Sequence, residues 1–229
     1  MSGKTLTFTV HAGETTREET VAIRTFVIAG WTGRDKAAVE KHICELEELG
    51  IPRPATTPIY YRVAAARLTQ DDAIEHTGGD SSGEVEYVVV QAGGQRYLGV
   101  ASDHTDRVVE THGITISKQI CDKPISRDLW LLDDVLDHWD QLKLRSWAII
   151  EGARVLYQEG RVEAMLPPQE VLSGFTDAPL ENGSAMLCGT LAAIGGIRPA
   201  ERFEFELEDP VLGRTIRHAY DITVLPVAG

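Results

Sequence analysis

A chain of 229 residues with 43% hydrophobic and 25% charged residues has the composition of a water-soluble globular protein, long enough to bury a full core. Its formal net charge of −13 leaves no surplus of positive charge to neutralise phosphates, which argues against general binding to nucleic acid or to an anionic membrane surface. No apolar run approaches the roughly 20 residues of a membrane span.

The opening "MSGKTLTFTVHAGE" lacks the apolar core of a signal peptide, so a cytoplasmic location is the expectation. Cys44, Cys121 and Cys188 are odd in number and far apart. They read as buried reduced thiols rather than as a disulfide framework or a zinc knuckle.

In chain order, residues 5–12 and 20–29 are β-prone and flank a polar "ETTREE" read as a turn, which predicts a pair of strands. From Arg34 to Leu49 the apolar residues Val39, Ile43, Leu46 and Leu49 recur at helical spacing. Thr32 with Asp35 resembles a capping box, and Gly50 and Pro52 mark a stop. "IYYRVAAARL" predicts another strand, and "TQDDAIEHTGGDSSG" reads as a polar loop. "EVEYVVVQA" and "QRYLGVAS" flank Gly93-Gly94 as a hairpin, and "LRSWAII" and "RVLYQEG" flank Glu151-Gly152 as a second. A helix is expected from an N-cap at Ser126 through "RDLWLLDDVLDHWDQL". "FEFELED" and "TIRHAYDITV" alternate as half-buried strands, so the class predicted is mainly β (α+β).

Glu84 and Glu86 stand at i and i+2 at the head of "VEYVVV", hence on one face of a strand, with the run after them apolar on both faces. A strand that carries two carboxylates towards the interior needs a cation there. Taken alone, a Glu-x-Glu pair suits an exposed edge kept soluble by its acids. Across the hairpin, "SDHTDR" delivers Asp103, Asp106 and Arg107, and an antiparallel neighbour would set Asp103 beside the glutamates. Three carboxylates without cysteine form a hard-oxygen set that suits Mg²⁺, Mn²⁺ or Ca²⁺ better than zinc. His104 reads as a hydrogen-bonding neighbour of this set. His42 and Glu45, three apart on the first helix, have the spacing of a general base oriented by an acid, and also that of an ordinary surface pair. Lys118 follows the β-prone "GITI", where an inward-facing lysine is one reading and a surface lysine the other.

In order, these pieces resemble the fumarylacetoacetate hydrolase superfamily. The lid motif is echoed by "AGWTGRDKAAVEKHICELEELGIPRPA" with His42-x-x-Glu45, the aromatic strand by "PIYYR", and the E-x-E pair by Glu84 and Glu86. "SDHTDR" echoes the aspartate–arginine stretch, "ISKQICDKP" the lysine segment, and "MLCGTLAAIGG" the closing turn. Three departures stand out: the gap from Glu86 to Asp103 is short, Leu191 replaces a proline, and Glu110 stands where a glutamine is common.

The resemblance implies a mixed β-roll or β-sandwich with a few peripheral helices, formed by residues 1–229 as one catalytic domain, with residues 31–52 as a lid. It implies a homodimer that holds Mg²⁺ or Mn²⁺ on Glu84, Glu86 and Asp103 and acts on a small 2-oxo acid or 1,3-dicarbonyl acid. His42, Glu45 and Lys118 would be catalytic, and Tyr61, Arg107, Gly189 and Thr190 would contact the substrate. The activity implied first is hydrolytic or decarboxylative cleavage of a C–C bond. A hydratase, dehydratase or isomerase acting on a sugar-derived 2-oxo acid is a second reading, and a non-catalytic module that binds dicarboxylates is a third.

Overall fold

The computed structural model describes residues 3–48, 53–175 and 180–228, without the side chains of His42 and Leu46. Among the described residues thirteen longer strands and four helices follow one another in this order: β1 (Lys4–Ala12), β2 (Thr15–Ile23), β3 (Thr25–Gly30), α1 (Lys36–Glu48), β4 (Ile59–Val63), β5 (Ala73–Thr77), β6 (Val85–Ala92), β7 (Gln95–Ser102), α2 (Arg107–Glu110), α3 (Ile114–Ile120), β8 (Asp128–Leu131), β9 (Lys143–Ile150), β10 (Ala153–Arg161), α4 (Pro168–Phe175), β11 (Ser184–Thr190), β12 (Arg202–Asp209) and β13 (Arg214–Leu225). They build an eight-stranded sheet, β2-β1-β8-β7-β6-β11-β3-β4, and a five-stranded sheet, β10-β9-β12-β13-β5. The mainly β class is as predicted. Among the described residues no helix is long and apolar enough to cross a membrane.

The run "VVV" explains the layering. Val89 joins the core between the two sheets, with Val85, Tyr87, Phe203, Phe205 and Tyr220. Val88 and Val90 join a second core on the other face, with Phe8, Ile23, Phe26, Val63 and Leu129. Phe8 and Val63 come from opposite ends of the larger sheet, so that sheet curls round its second core. Strand β6 is therefore buried on both faces, which is why its residues do not alternate in polarity.

Several expectations give way to tertiary context. The segment after Ser126 is not a helix: Leu129 and Trp130 alternate into the two cores as strand β8, and the acidic stretch beyond forms 3-10 turns at Leu132–Asp134 and Leu136–Gln141. Of "ETTREE" only Glu14 is in the turn, with Gly13, and residues 15–19 lie within β2, the charged edge of the large sheet. Within the polar loop, Ala73–Thr77 forms β5, parallel to β13, with Ile74 and His76 facing inward. "GITI" starts helix α3 instead of a strand, leaving Ile116 and Ile120 exposed while Ser117 and Lys118 are buried. Asp35 alone caps α1: its Oδ1 accepts from the N–H groups of Ala37 and Ala38 at 2.9 and 3.1 Å, while Thr32 lies outside the helix. Leu49, Gly50 and Pro52 lie outside the described residues. Cys121 and Cys188 are buried free thiols, but Cys44 is exposed on α1. Both predicted hairpins form, at Gly93-Gly94 and at Glu151-Gly152, with positive φ at all four positions as tight turns of this hand require.

Candidate metal centre and its cleft

Two backbone devices bring the acids together. The hairpin register sets Val85 opposite Ser102, and the Asp103 N–H donates to the Glu84 carbonyl at 2.9 Å, so Asp103 emerges beside the glutamates. On the other side of β6, strand β11 pairs in register up to Leu187, slips, and pairs again at Thr190 opposite Glu86. This bulge turns the N–H of Gly189 onto Glu86 Oε2 at 2.7 Å. Ligand atoms of Glu84, Glu86 and Asp103 all lie within 4.8 Å of one another, with Glu86 and Asp103 buried and Glu84 half-buried.

The electrostatics of the three acids differ. Burial pushes the Glu86 carboxyl well above the usual carboxylate range, and the neighbouring charge of Asp103 adds to the rise. Burial also opposes the charge on Asp103, but Lys118 on one oxygen and Lys123 on the other outweigh it and hold that carboxyl low. Lys118 from α3 is ion-paired with Asp103 Oδ2. Burial penalises its ammonium, yet Asp103 and Glu84 raise its pKa above the ordinary lysine value. Arg107 reaches Glu84 Oε1 at 3.2 Å, Glu110 at 2.9 Å and the Ser82 hydroxyl at 2.7 Å. Its Nη2, although buried and close to Glu84, makes no aligned hydrogen bond.

A buried carboxylate set of this kind, with one member destabilised as an anion by the others, fits a divalent cation with hard oxygen ligands. Among the described residues no histidine joins that set. Both ring nitrogens of His104 are engaged, Nδ1 with the Tyr220 hydroxyl at 2.9 Å and Nε2 with the Ser81 hydroxyl at 2.8 Å.

Glu84, Glu86, Lys118, Gly189 and Thr190 open onto a cleft of about 360 Å³ that Trp31, Ala38, Val39 and Ala164 also line. The base of α1 is fixed to the segment after β10: Leu166 N–H donates to the Thr32 carbonyl at 2.7 Å, and Arg34 N–H to Ala164 at 3.0 Å. Trp31 adopts φ 59°, rare for a bulky side chain and typical of over-determined backbone near functional sites. Tyr61, on β4, turns its ring to within 5.8 Å of Lys118 Nζ. The Thr190 hydroxyl donates to the Val85 carbonyl at 2.8 Å and accepts from Gln158, so its proton is already committed within the fold. Position 42 lies on α1, but the His42 side chain is outside the described part, and Glu45 is exposed with Lys41 at 3.7 Å.

Sequence reasoning overlooked Lys123. It is fully buried, donates to the His104 carbonyl at 2.5 Å and the Cys121 carbonyl at 3.3 Å, and sits 3.4 Å from Asp103 Oδ1. No local pattern marks it, because all its partners are carbonyls and a carboxylate assembled by the fold. Trp31 entered the sequence reading only as a member of the implied lid, residues 31–52, and Val39 as that and as an apolar residue of its helix, neither with a role of its own.

The chain is similar in structure to fumarylpyruvate hydrolase from Pseudomonas aeruginosa, solved in complex with Mn²⁺ and pyruvate: TM-score 0.62, 15% identity, covering 98% of this chain and 97% of that one. It is similar to ynq8, a yeast fumarylacetoacetate hydrolase family protein, with TM-score 0.64 and 18% identity over 90% of this chain and 96% of that one. A 2-keto-3-deoxyarabinonate dehydratase gives TM-score 0.63 and 14% identity over 93% of this chain and 77% of that one. At such identities the likeness is one of fold. No curated protein matches by sequence. A family model matches residues 29–220, so the chain, folded as a fumarylacetoacetate hydrolase, belongs to the family described as "Protein of unknown function (DUF2848)".

Proposed function

We propose that this protein is a divalent-metal-dependent hydrolase or lyase that cleaves a C–C bond in a small 2-oxo acid or 1,3-dicarbonyl acid. The observation that carries the reading is the convergence of Glu84, Glu86 and Asp103 within 4.8 Å, with Glu84 and Glu86 lining a cleft of ligand size. Mg²⁺ or Mn²⁺ bound there would supply Lewis-acid stabilisation of negative charge on a substrate oxygen.

The chain's own groups then have distinct tasks. Gly189 N–H keeps Glu86 turned towards Asp103. Lys118, charged across the physiological range, adds a fixed positive charge to the cleft lining, and Arg107 holds Glu84 from behind. The Gly189–Thr190 turn and Tyr61 border the substrate. In a hydrolase, His42 oriented by Glu45 would take the proton of the attacking water. Position 42 follows Ala38 and Val39 by four and three residues on α1, which supports that role, since both line the cleft. Purified protein supplied with Mg²⁺ or Mn²⁺ should turn over an acylpyruvate. Absence of metal-dependent turnover, together with unchanged metal binding in Glu84→Ala/Glu86→Ala, would sink the proposal.

The likeness to a 2-keto-3-deoxyarabinonate dehydratase favours a second reading, dehydration or hydration on the same metal centre. That chemistry does not need a water-activating base on α1, so full activity in His42→Ala would favour it.

A further inference from the structure

The lining of the cleft is of two kinds. Glu84, Glu86, Lys118 and the Gly189–Thr190 turn supply its polar groups, and Trp31, Ala38, Val39 and Ala164 supply an apolar side. The basic side chains near the apolar side are committed elsewhere. Arg34 turns away to grip Asp140 with two hydrogen bonds of 2.7 and 3.0 Å and the Met165 carbonyl at 3.1 Å. Arg53 pairs with Glu40 at 2.7 Å and Glu47 at 3.1 Å on the outside of α1. Among the described side chains that line the cleft, Lys118 is the one cation, and it is paired with Asp103. Among the described side chains, the titratable group at the apolar rim is an acid, Asp35, held there as the cap of α1.

A 2-oxo acid whose chelating end lies on the three carboxylates must set its remaining atoms against this apolar lining. A second carboxylate there would lose hydration, meet no described cation and face Asp35. A compact hydrocarbon group would instead cover Trp31 and Val39, in a space at the small end of the range for ligand sites. Resting on the metal-chelate reading above, we propose that the cleft selects 2-oxo acids with a single carboxylate and a small uncharged apolar tail, and rejects 2-oxo dicarboxylates.

The test is calorimetric titration of the Mn²⁺-loaded full-length protein with 4-methyl-2-oxopentanoate, 2-oxoglutarate and oxalate, repeated on Ala38→Arg, an exposed helix position where the added charge reaches the apolar side without disturbing the core. The branched monocarboxylate should bind at least about tenfold more tightly than 2-oxoglutarate, and Ala38→Arg should shrink or reverse that ratio. Equal or tighter binding of 2-oxoglutarate, with oxalate still bound, overturns the selectivity alone. An unchanged ratio in Ala38→Arg, with circular dichroism showing the fold intact, overturns it as well. Failure of oxalate to bind overturns the chelate reading, and the selectivity with it.

Discussion

The main-chain N–H of Gly189 holds Glu86 Oε2 at 2.7 Å, and does so from a backbone conformation, φ 113°, that side chains rarely adopt. Thr32 packs so closely over this glycine that a Cβ there would fall on its Oγ1. Glycine is thus required twice, for the bulge and for the close approach of the loop that leads into α1. Gly189→Ala should cost about 1–3 kcal/mol from backbone strain, and more from the clash. Urea unfolding measures the loss. Adding Thr32→Ala should recover part of it, and simple additivity of the two single changes would show that the contact does not matter.

Glu86 is buried against Asp103, and its charge is disfavoured in the metal-free protein. Glu86→Gln keeps the shape and removes one of the repelling charges, so the metal-free variant should melt no lower than the parent. The same variant should lose the stabilisation that Mn²⁺ confers, about 2.7 kcal/mol at a hundredfold excess over Kd. Thermal melts with and without Mn²⁺ test both halves. A variant still stabilised by Mn²⁺ would remove Glu86 from the ligand set.

The raised Glu86 pKa fixes the sign of two pH effects. In the metal-free protein the folded state holds the Glu86 proton at pH values where the unfolded chain has lost it. That contribution to stability is fully present below the unfolded pKa and is lost as pH rises through the folded value. A metal ligand must be deprotonated, so metal binding releases this proton. Mn²⁺ affinity should therefore climb about tenfold per pH unit below the folded Glu86 pKa and level off above it. Calorimetry in buffers of different ionisation enthalpy should count close to one proton released. A pH-independent affinity with no proton release would contradict the assignment.

The convergence of the three acids was legible because its geometry is local. Gly93-Gly94 fixes the hairpin register, and that register alone carries Asp103 to the glutamates. The two-faced burial of β6 could also be read from "VVV". What resisted reading depended on partners far away in sequence. Leu129 and Trp130 are a strand because two cores lie on either side of them, although their neighbourhood has helical spacing. Lys118 is buried because α3, which β-branched residues open, turns it onto Asp103. The Gly189 amide carries no side-chain signature at all. The apolar side of the cleft likewise arises only where α1 crosses the segment around Ala164.

Lys123 offers the last prediction. Its ammonium is fully buried between the carbonyls of His104 and Cys121 and the Asp103 carboxylate, and burial lowers its pKa. Lys123→Met fills the space but leaves two buried carbonyls without this donor and Asp103 with one cation in place of two. Breaking a buried pair in this way typically costs about 3–5 kcal/mol. Guanidinium unfolding should show a loss of that order. The cost should be smaller in a Lys123→Met/Asp103→Asn background, where the carboxylate charge that Lys123 faces is gone. Equal costs in both backgrounds would mean that the carbonyls, not Asp103, account for the burial of this lysine. A smaller cost would make Lys123 the fixed counter-ion that keeps Asp103 charged and oriented beside the glutamates.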